Sequence, residues 1–232
     1  MSAFESVSTW KPAPVPAPSP ARSAVIDRVA RAVVALGPQR LRVAVDGRTG
    51  AGKSTFADEL AAAIRARDRS TARASLDDFK HPWRHSREHG YDRESGEGYY
   101  RNPHDFASAR ELLLAPAAAA GDGCVVLCAH DPLTGVDHRD VVVELPLDAV
   151  LVVDGVFAMR PEYDDLWDLR IWLDVDGATS RERGVGRDAN REVHLTRYEV
   201  GEELYLTEVD PVTRADVVID HTDVTRPVLL QI

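Results

Sequence analysis

Apolar residues recur along this chain in two rhythms. Between 21 and 36, Val25, Ile26, Val29, Val33 and Val34 fall at helical spacing, and Gly37-Pro38 supplies a stop. Residues 41–46 follow as an apolar run of the kind buried on both faces of a parallel sheet. The helical rhythm returns over 53–67, with Phe56, Leu60 and Ile64 on one stripe, and a short strand is predicted over 71–76. Further on, the pattern predicts a helix over 104–115, a strand over 124–129, an edge strand over 140–145 and a buried strand over 149–153. A short helix over 161–167, a strand over 169–173, an arginine-rich helix over 176–188, partial helix over 189–210 and a last strand over 215–219 complete the series. Strands alternating with helices imply an α/β fold, an open parallel β-sheet with helices on both faces, whose ligands sit beyond the carboxyl ends of the strands. Two stretches lack either rhythm. Proline at alternate positions from Pro12 to Pro20 forbids helix and sheet, so residues 1–20 are expected as an extended or disordered arm ahead of a single domain, 21–232. Residues 80–102 are polar, aromatic and aperiodic, the mark of a functional or mobile segment in a compact domain.

The first strand runs into Gly47-Arg48-Thr49-Gly50-Ala51-Gly52-Lys53-Ser54-Thr55, which fits G-x-x-x-x-G-K-[ST] between a strand and a helix. That context separates a phosphate-binding loop from a glycine-rich turn. The glycines let successive N–H groups converge on phosphate oxygens, and the following helix adds its positive end. Gly47, Thr49, Gly50, Ala51, Gly52, Lys53, Ser54 and Thr55 are therefore the candidate nucleotide cradle. Lys53 is placed to reach the β- and γ-phosphates and the Ser54 hydroxyl to bind Mg²⁺. The fold class sharpens to a P-loop NTPase-type sheet. Other strand ends are acidic: Asp46, the pair Asp77-Asp78, and Asp154, which follows four apolar residues as a Walker B acid does and is the second candidate Mg²⁺ ligand. One of Asp77 and Asp78 suits the acceptor of a hydroxyl proton in phosphoryl transfer; two solvated turn residues is the plain alternative. On the helix over 176–188, Arg183 and Arg187 share a face and Arg181 lies off it, an arrangement that fits either a lid over transferring phosphate or a solvated charged face.

Composition narrows the partners. A net charge of −10 argues against nucleic acid or an anionic membrane as a bulk partner. Lys53 is one of only three lysines, with Lys11 and Lys80, in a chain otherwise rich in arginine. Cys124 and Cys128 match no zinc or redox spacing; on a strand they lie too far apart for a disulfide, and both are expected as buried hydrophobes in a reduced cytoplasm. No apolar run reaches membrane-spanning length, and the amino-terminal residues lack an apolar signal core.

Several of these stretches together resemble the uridine kinase and phosphoribulokinase family of P-loop kinases. Residues 47–55 look like its phosphate loop, Ser75-Leu76-Asp77-Asp78-Phe79 like its second-strand motif, and Val152-Val153-Asp154-Gly155-Val156 like its Walker B region. Arg183 through Arg187-Asp188 is similar to its lid helix, and Ala215-Asp216-Val217-Val218-Ile219 to its final strand. The resemblance implies Mg²⁺-dependent transfer of the ATP γ-phosphate to a hydroxyl, commonly of a nucleoside, with uridine or cytidine the leading guess. It implies Asp77 as general base, Lys53, Arg183 and Arg187 as catalytic cations, and a lid over about 176–200. It places Asp77, Phe79, Tyr100, Arg101 and His130 against the acceptor, with Tyr99, Trp83, Arg197, Tyr198 and Tyr205 nearby. Gly184 stands where the family carries a second lid arginine, which makes Arg181 a candidate replacement. Arg101 stands where uridine kinases place an aspartate for the ribose hydroxyls, and it suits an anionic, non-nucleoside acceptor better. A nucleotide-binding regulator without a small-molecule acceptor is the reading from outside the enzymes. Homo-oligomer formation is left open.

Overall fold

The structure, a computed structural model, describes residues 2–12, 14, 17, 19–81, 90–92, 94–185 and 192–232, with backbone alone at 185 and 192–195. Its centre is a seven-stranded sheet in the order β1-β3-β6-β2-β7-β8-β9. The strands are β1 (Ala3–Phe4), β2 (Leu41–Gly47), β3 (Thr71–Ser75), β6 (Val150–Asp154), β7 (Leu169–Asp174), β8 (Val217–Asp220) and β9 (Val228–Gln231). Every pairing is parallel except β8 with β9. β2, the central strand, has all seven residues buried, and β6 all five. Alternation then sorts the side chains of β6: Val150 and Val152 join one core, Leu151 and Val153 the other.

The first core lies under α1 (Pro20–Ala35) and α2 (Lys53–Arg65), which pack on each other and on the sheet. α1 starts where the sequence stops being able to extend: the Ser19 hydroxyl accepts the Arg22 N–H and Pro20 occupies the first turn. The opposite face is covered by residues from a broken helix, α4 (Phe106–Ser108) continuing as a π-helical stretch Ala109–Leu114, and by a separate antiparallel pair, β4 (Cys124–Val126) and β5 (Val142–Glu144). A third, aromatic core holds Tyr100, Phe157, Trp172 and Tyr205 and joins α3 (Gly96–Arg101) to α6 (Glu192–Val209). α5 (Gly177–Val185) and α7 (Pro211–Arg214) complete the helices among the described residues.

Several sequence expectations change here. The strand expected over 124–129 ends at Val126 and pairs outside the main sheet, and Cys124 is exposed while Cys128 is buried. The helix expected over 161–167 is one 3-10 turn, Pro161–Tyr163. β9 was not foreseen: its alternation is short, and it closes an edge with one face exposed. In the amino-terminal arm, Ala3–Phe4 adds a parallel edge strand to β3, a local pairing that the proline run after residue 11 leaves untouched. Trp83 and Arg187 lie outside the described residues.

Candidate active site

At the carboxyl end of β2 the chain turns through Gly50 (φ 78°) and Gly52 (φ 87°), a backbone region L side chains avoid. A Cβ at Gly50 would also stand 2.9 Å from the Ser180 carbonyl oxygen, so the loop is pressed against α5 as well as curled. Gly52 precedes α2 with no side-chain cap, which leaves the first N–H groups of the helix for a ligand. Lys53 folds back over the loop, its Nζ donating to the Gly47 and Arg48 carbonyls at 2.9 Å each. Burial pulls its pKa down, and Asp46 and Glu202 pull it back up.

Three neighbouring side chains hold the loop in shape. Asp46 is fully buried and accepts the Gly47 N–H at 2.7 Å and the Tyr205 hydroxyl at 2.5 Å. Burial raises its pKa to about 6 against those hydrogen bonds. Glu202 of α6, also buried, accepts the Thr49 N–H at 2.6 Å and pairs with Arg48 at 3.2 Å. His221, after β8, lies within 2.7 Å of the Ala51 carbonyl through Nδ1 and 2.9 Å of the Arg22 guanidinium through Nε2. Burial lowers its pKa to about 4, so it is neutral at pH 7, and those two partners require the proton on Nδ1. Glu202 and His221 were not foreseen as supports. The sequence signals were faint: one acid in a helix of weak periodicity, and one histidine after a strand.

Asp154 ends β6 beside the loop. The Ser54 hydroxyl donates to its Oδ2 at 2.5 Å, and Arg73 donates to its Oδ1 at 2.9 Å while also binding Asp58. Arg73 is the one charged residue of β3, a signal the pattern contained. Among the described residues there is no cluster of three or more His, Cys, Asp or Glu side chains suited to a metal. The Ser54–Asp154 contact is what a phosphate-bound Mg²⁺ needs from a protein, one hydroxyl and one carboxylate with the rest of its oxygens from phosphate and water, and these residues fit the ion.

β3 delivers the other acids. Ser75 ties the two strand ends, its hydroxyl donating to the Asp154 carbonyl and accepting the Asp77 N–H, both at 3.3 Å. Asp77 and Asp78 then sit on a 3-10 turn, Leu76–Phe79, and face different surroundings. Burial would raise Asp77, but Lys80 at 2.5 Å together with His104 and Lys53 holds it at about 2. Asp78 is buried beside Asp77 and Asp154, and its pKa rises to about 7 despite hydrogen bonds from Ser8 at 2.7 Å and Ser6 at 3.2 Å. Of the pair, Asp77 is the one ionised throughout the neutral range and open to the cavity that the phosphate loop lines.

That cavity has a volume of about 490 Å³ and is lined by Thr49, Gly50, Gly52, Lys53, Ser54, Thr55, Asp77, Asp154 and Arg183, among others. The structure thus brings together most of the candidate phosphate cradle, Asp77, Asp154 and Arg183, one of the two arginines expected on a lid. Arg183 meets it from α5, anchored to the His221 carbonyl at 3.1 Å and to the Thr222 carbonyl. Arg181 does not share it, being ion-paired with Glu199 on the outer side of the loop. Tyr99, Arg197 and Tyr198 line the cavity as well, with Arg197 stacked over both tyrosine rings. Four expected acceptor contacts lie off its lining. Phe79 is wholly buried in the core and Tyr100 packs on Phe157 and Tyr205. Arg101 forms a two-bond pair with Glu208, 2.7 Å for each bond. His130 receives its backbone support from the Asp78 carbonyl and lies 3.7 Å from Asp137. Apolar and aromatic residues in helix 96–101 turn inward because the third core draws them there, which spacing alone does not reveal.

No protein-family model and no curated protein matches the chain. Solved structures do. A protein from Bacillus stearothermophilus described as a possible uridine kinase superposes with a TM-score of 0.67 at 24% identity, over 84% of this chain and 97% of that one. A protein from Silicibacter sp. provisionally described as a fructose transport system kinase gives 0.60 at 22% identity, over 82% and 94%. The YGR205w protein gives 0.56 at 15% identity, over 85% and 92%. At these identities the likeness is one of fold, a P-loop NTPase-type parallel sheet with helices on both faces. No helix among the described residues is long and apolar enough to cross a membrane.

Proposed function

We propose that this chain is an ATP-dependent kinase that transfers the γ-phosphate to a hydroxyl of a small molecule, with a uridine- or cytidine-type nucleoside the leading acceptor. The observation that carries the reading is one cavity lined at once by the phosphate loop, Asp154 and Asp77, at the carboxyl ends of β2, β6 and β3. A nucleotide-binding module needs the first two of these; a carboxylate held ionised on the adjoining strand end is what transfer to a hydroxyl adds.

In this reading the N–H groups at the loop and the start of α2 hold the triphosphate, and Lys53 swings from its two carbonyls to the phosphates. Ser54 and Asp154 would hold Mg²⁺, which would supply neutralisation of phosphate charge. Asp77 orients the acceptor hydroxyl and accepts its proton. Arg183 approaches from α5 and offsets charge on the transferring group, and Arg187, outside the described residues, is its proposed companion. Tyr99 and Tyr198 offer aromatic surface to a nucleobase. The anionic-acceptor alternative depends on Arg101, whose charge is taken up by Glu208 away from the cavity.

The test is Asp77→Asn assayed against uridine, cytidine, pantothenate and sugar phosphates. Transfer falls about 10²–10⁴-fold while ATP affinity is kept. Unchanged phosphorylation, or a wild type that phosphorylates none of these acceptors, would sink the proposal.

A further inference from the structure

The phosphate loop, the acids and the helices leave one part of the cavity unaccounted for: its wall from the amino-terminal arm. Trp10, Pro12 and Pro14 line the cavity together with Tyr99, Tyr198 and Pro132. We infer that this arm is a built wall of the acceptor pocket and that Trp10 is a specificity-determining residue, stacking on a planar heteroaromatic group of the acceptor. The inference rests on the kinase reading above.

The placement of Trp10 follows from bonds on either side of it. Upstream, the Ser2 carbonyl accepts the Thr71 N–H and Ala3–Phe4 pairs with Thr71–Ala72, which fixes the arm to β3, the strand that ends in the Asp77 turn. Ser6 and Ser8 donate to the buried Asp78 carboxylate. Thr9, the residue before Trp10, donates its N–H and its hydroxyl to Asp131 at 2.5 and 2.9 Å. Downstream, Ser19 caps α1 and also donates to the Thr225 carbonyl. The arm is thus fastened by main-chain pairing, by three hydroxyls and by a helix cap, and Trp10 lies between fastenings.

Two observations put Trp10 at the acceptor end. A second cavity shares Trp10 and Pro12 with the first, and its other walls include Ser75, Asp78 and Asp154, all on the β3–β6 side. Arg22, His221 and Val224 also line the main cavity, but His221 is bonded to the phosphate loop at Ala51 and Arg22 to His221 and Val224, which assigns these three to the donor side. The chemistry of the wall suits a flat, weakly polar group: an indole, two phenol rings and prolines, whose nearby carboxylates Asp78 and Asp131 are already satisfied by the arm's own donors. A bare sugar or an open-chain alcohol would leave those faces uncovered. Stacking of a base on an aromatic side chain changes affinity enough to set preference.

The experiment compares Trp10→Ala, Trp10→Phe and the double variant Ser6→Ala/Ser8→Ala with the wild type, using uridine and ribose as acceptors and a fluorescent ATP analogue for donor binding. Trp10→Ala raises KM for uridine about tenfold or more, with kcat within threefold and donor Kd unchanged, and it narrows the preference for uridine over ribose by a similar factor. Trp10→Phe restores most of the loss. Ser6→Ala/Ser8→Ala, which keeps Trp10 but loosens its strand, reproduces the KM effect; circular dichroism melts confirm that each variant folds. A wild-type KM for uridine in Trp10→Ala, a lowered KM, or a matching rise in donor Kd overturns the role of Trp10 and leaves the kinase reading standing. If the wild type phosphorylates only pantothenate or sugar phosphates, the planar acceptor is overturned while kinase activity stands; if it phosphorylates nothing, both fall.

Discussion

Asp46 and Asp77 are both strand-end carboxylates beside Lys53, yet burial and partners drive them apart, to about 6 and about 2. The signs of their pH effects are opposite. Asp46 holds its proton more tightly folded than unfolded, so its contribution to stability is present below the ordinary carboxylate pKa and is lost as pH rises towards 6. Asp77 binds its proton less tightly when folded, so its contribution is present above that ordinary value and is lost only as pH falls towards 2. We therefore expect Asp46→Asn to gain on the wild type by about 2 kcal/mol in unfolding free energy between pH 4 and pH 7, measured by urea titration at each pH. A difference independent of pH would mean that Asp46 is not buried as a strained acid. Little of this was readable beforehand. The acids at 46, 77 and 154 announced themselves at strand ends, but which one a lysine, a tyrosine or a serine would meet depended on residues up to 159 positions away.

At the scale of elements, the contact between β6 and the turn carrying Asp77 is set by a glycine. A Cβ at Gly155 would stand 2.7 Å from the Leu76 Cβ, an approach no side chain tolerates. Gly155→Ala should destabilise the fold by about 1–3 kcal/mol in thermal or urea melts and, by pushing on Leu76, reduce phosphoryl transfer more than ATP affinity. Loss of stability with transfer untouched would show that the turn adjusts freely. Elements with strong periodicity were legible: α1, α2, β2, β3, β6 and β7 all fall within a residue or two of their expected spans. Their patterns were legible because each faces a core on a fixed side. The phosphate loop was legible for another reason, since its backbone geometry admits only glycine at Gly50 and Gly52 without strain. The acceptor side was not, because Tyr100 and Phe79 are claimed by packing, Arg101 by Glu208, and Trp10 arrives from a segment whose local pattern carries no sign of a partner.

For the whole molecule, the proposed donor and acceptor halves meet at the carboxyl ends of the strands but are built from different parts of the chain. ATP with Mg²⁺ at a hundred times its Kd should stabilise the fold by about 2.7 kcal/mol, a rise in Tm of about 5–10 °C for a chain of this size. Lys53→Ala should abolish that rise and Asp77→Asn should retain it, as read by differential scanning fluorimetry. Equal loss in both variants would mean that the two halves do not separate.

The short pairing of Ala3–Phe4 with β3 has a consequence beyond the site. With it in place, β3 is an inner strand; without it, β3 would be the outermost strand of a parallel sheet, its unpaired amide and carbonyl groups free to recruit the same strand of another copy. The same few residues that steady the pocket wall therefore also act as a guard against self-association. A chain shortened at its beginning would lose colloidal stability along with acceptor preference, and in a crowded solution the first loss would be felt sooner.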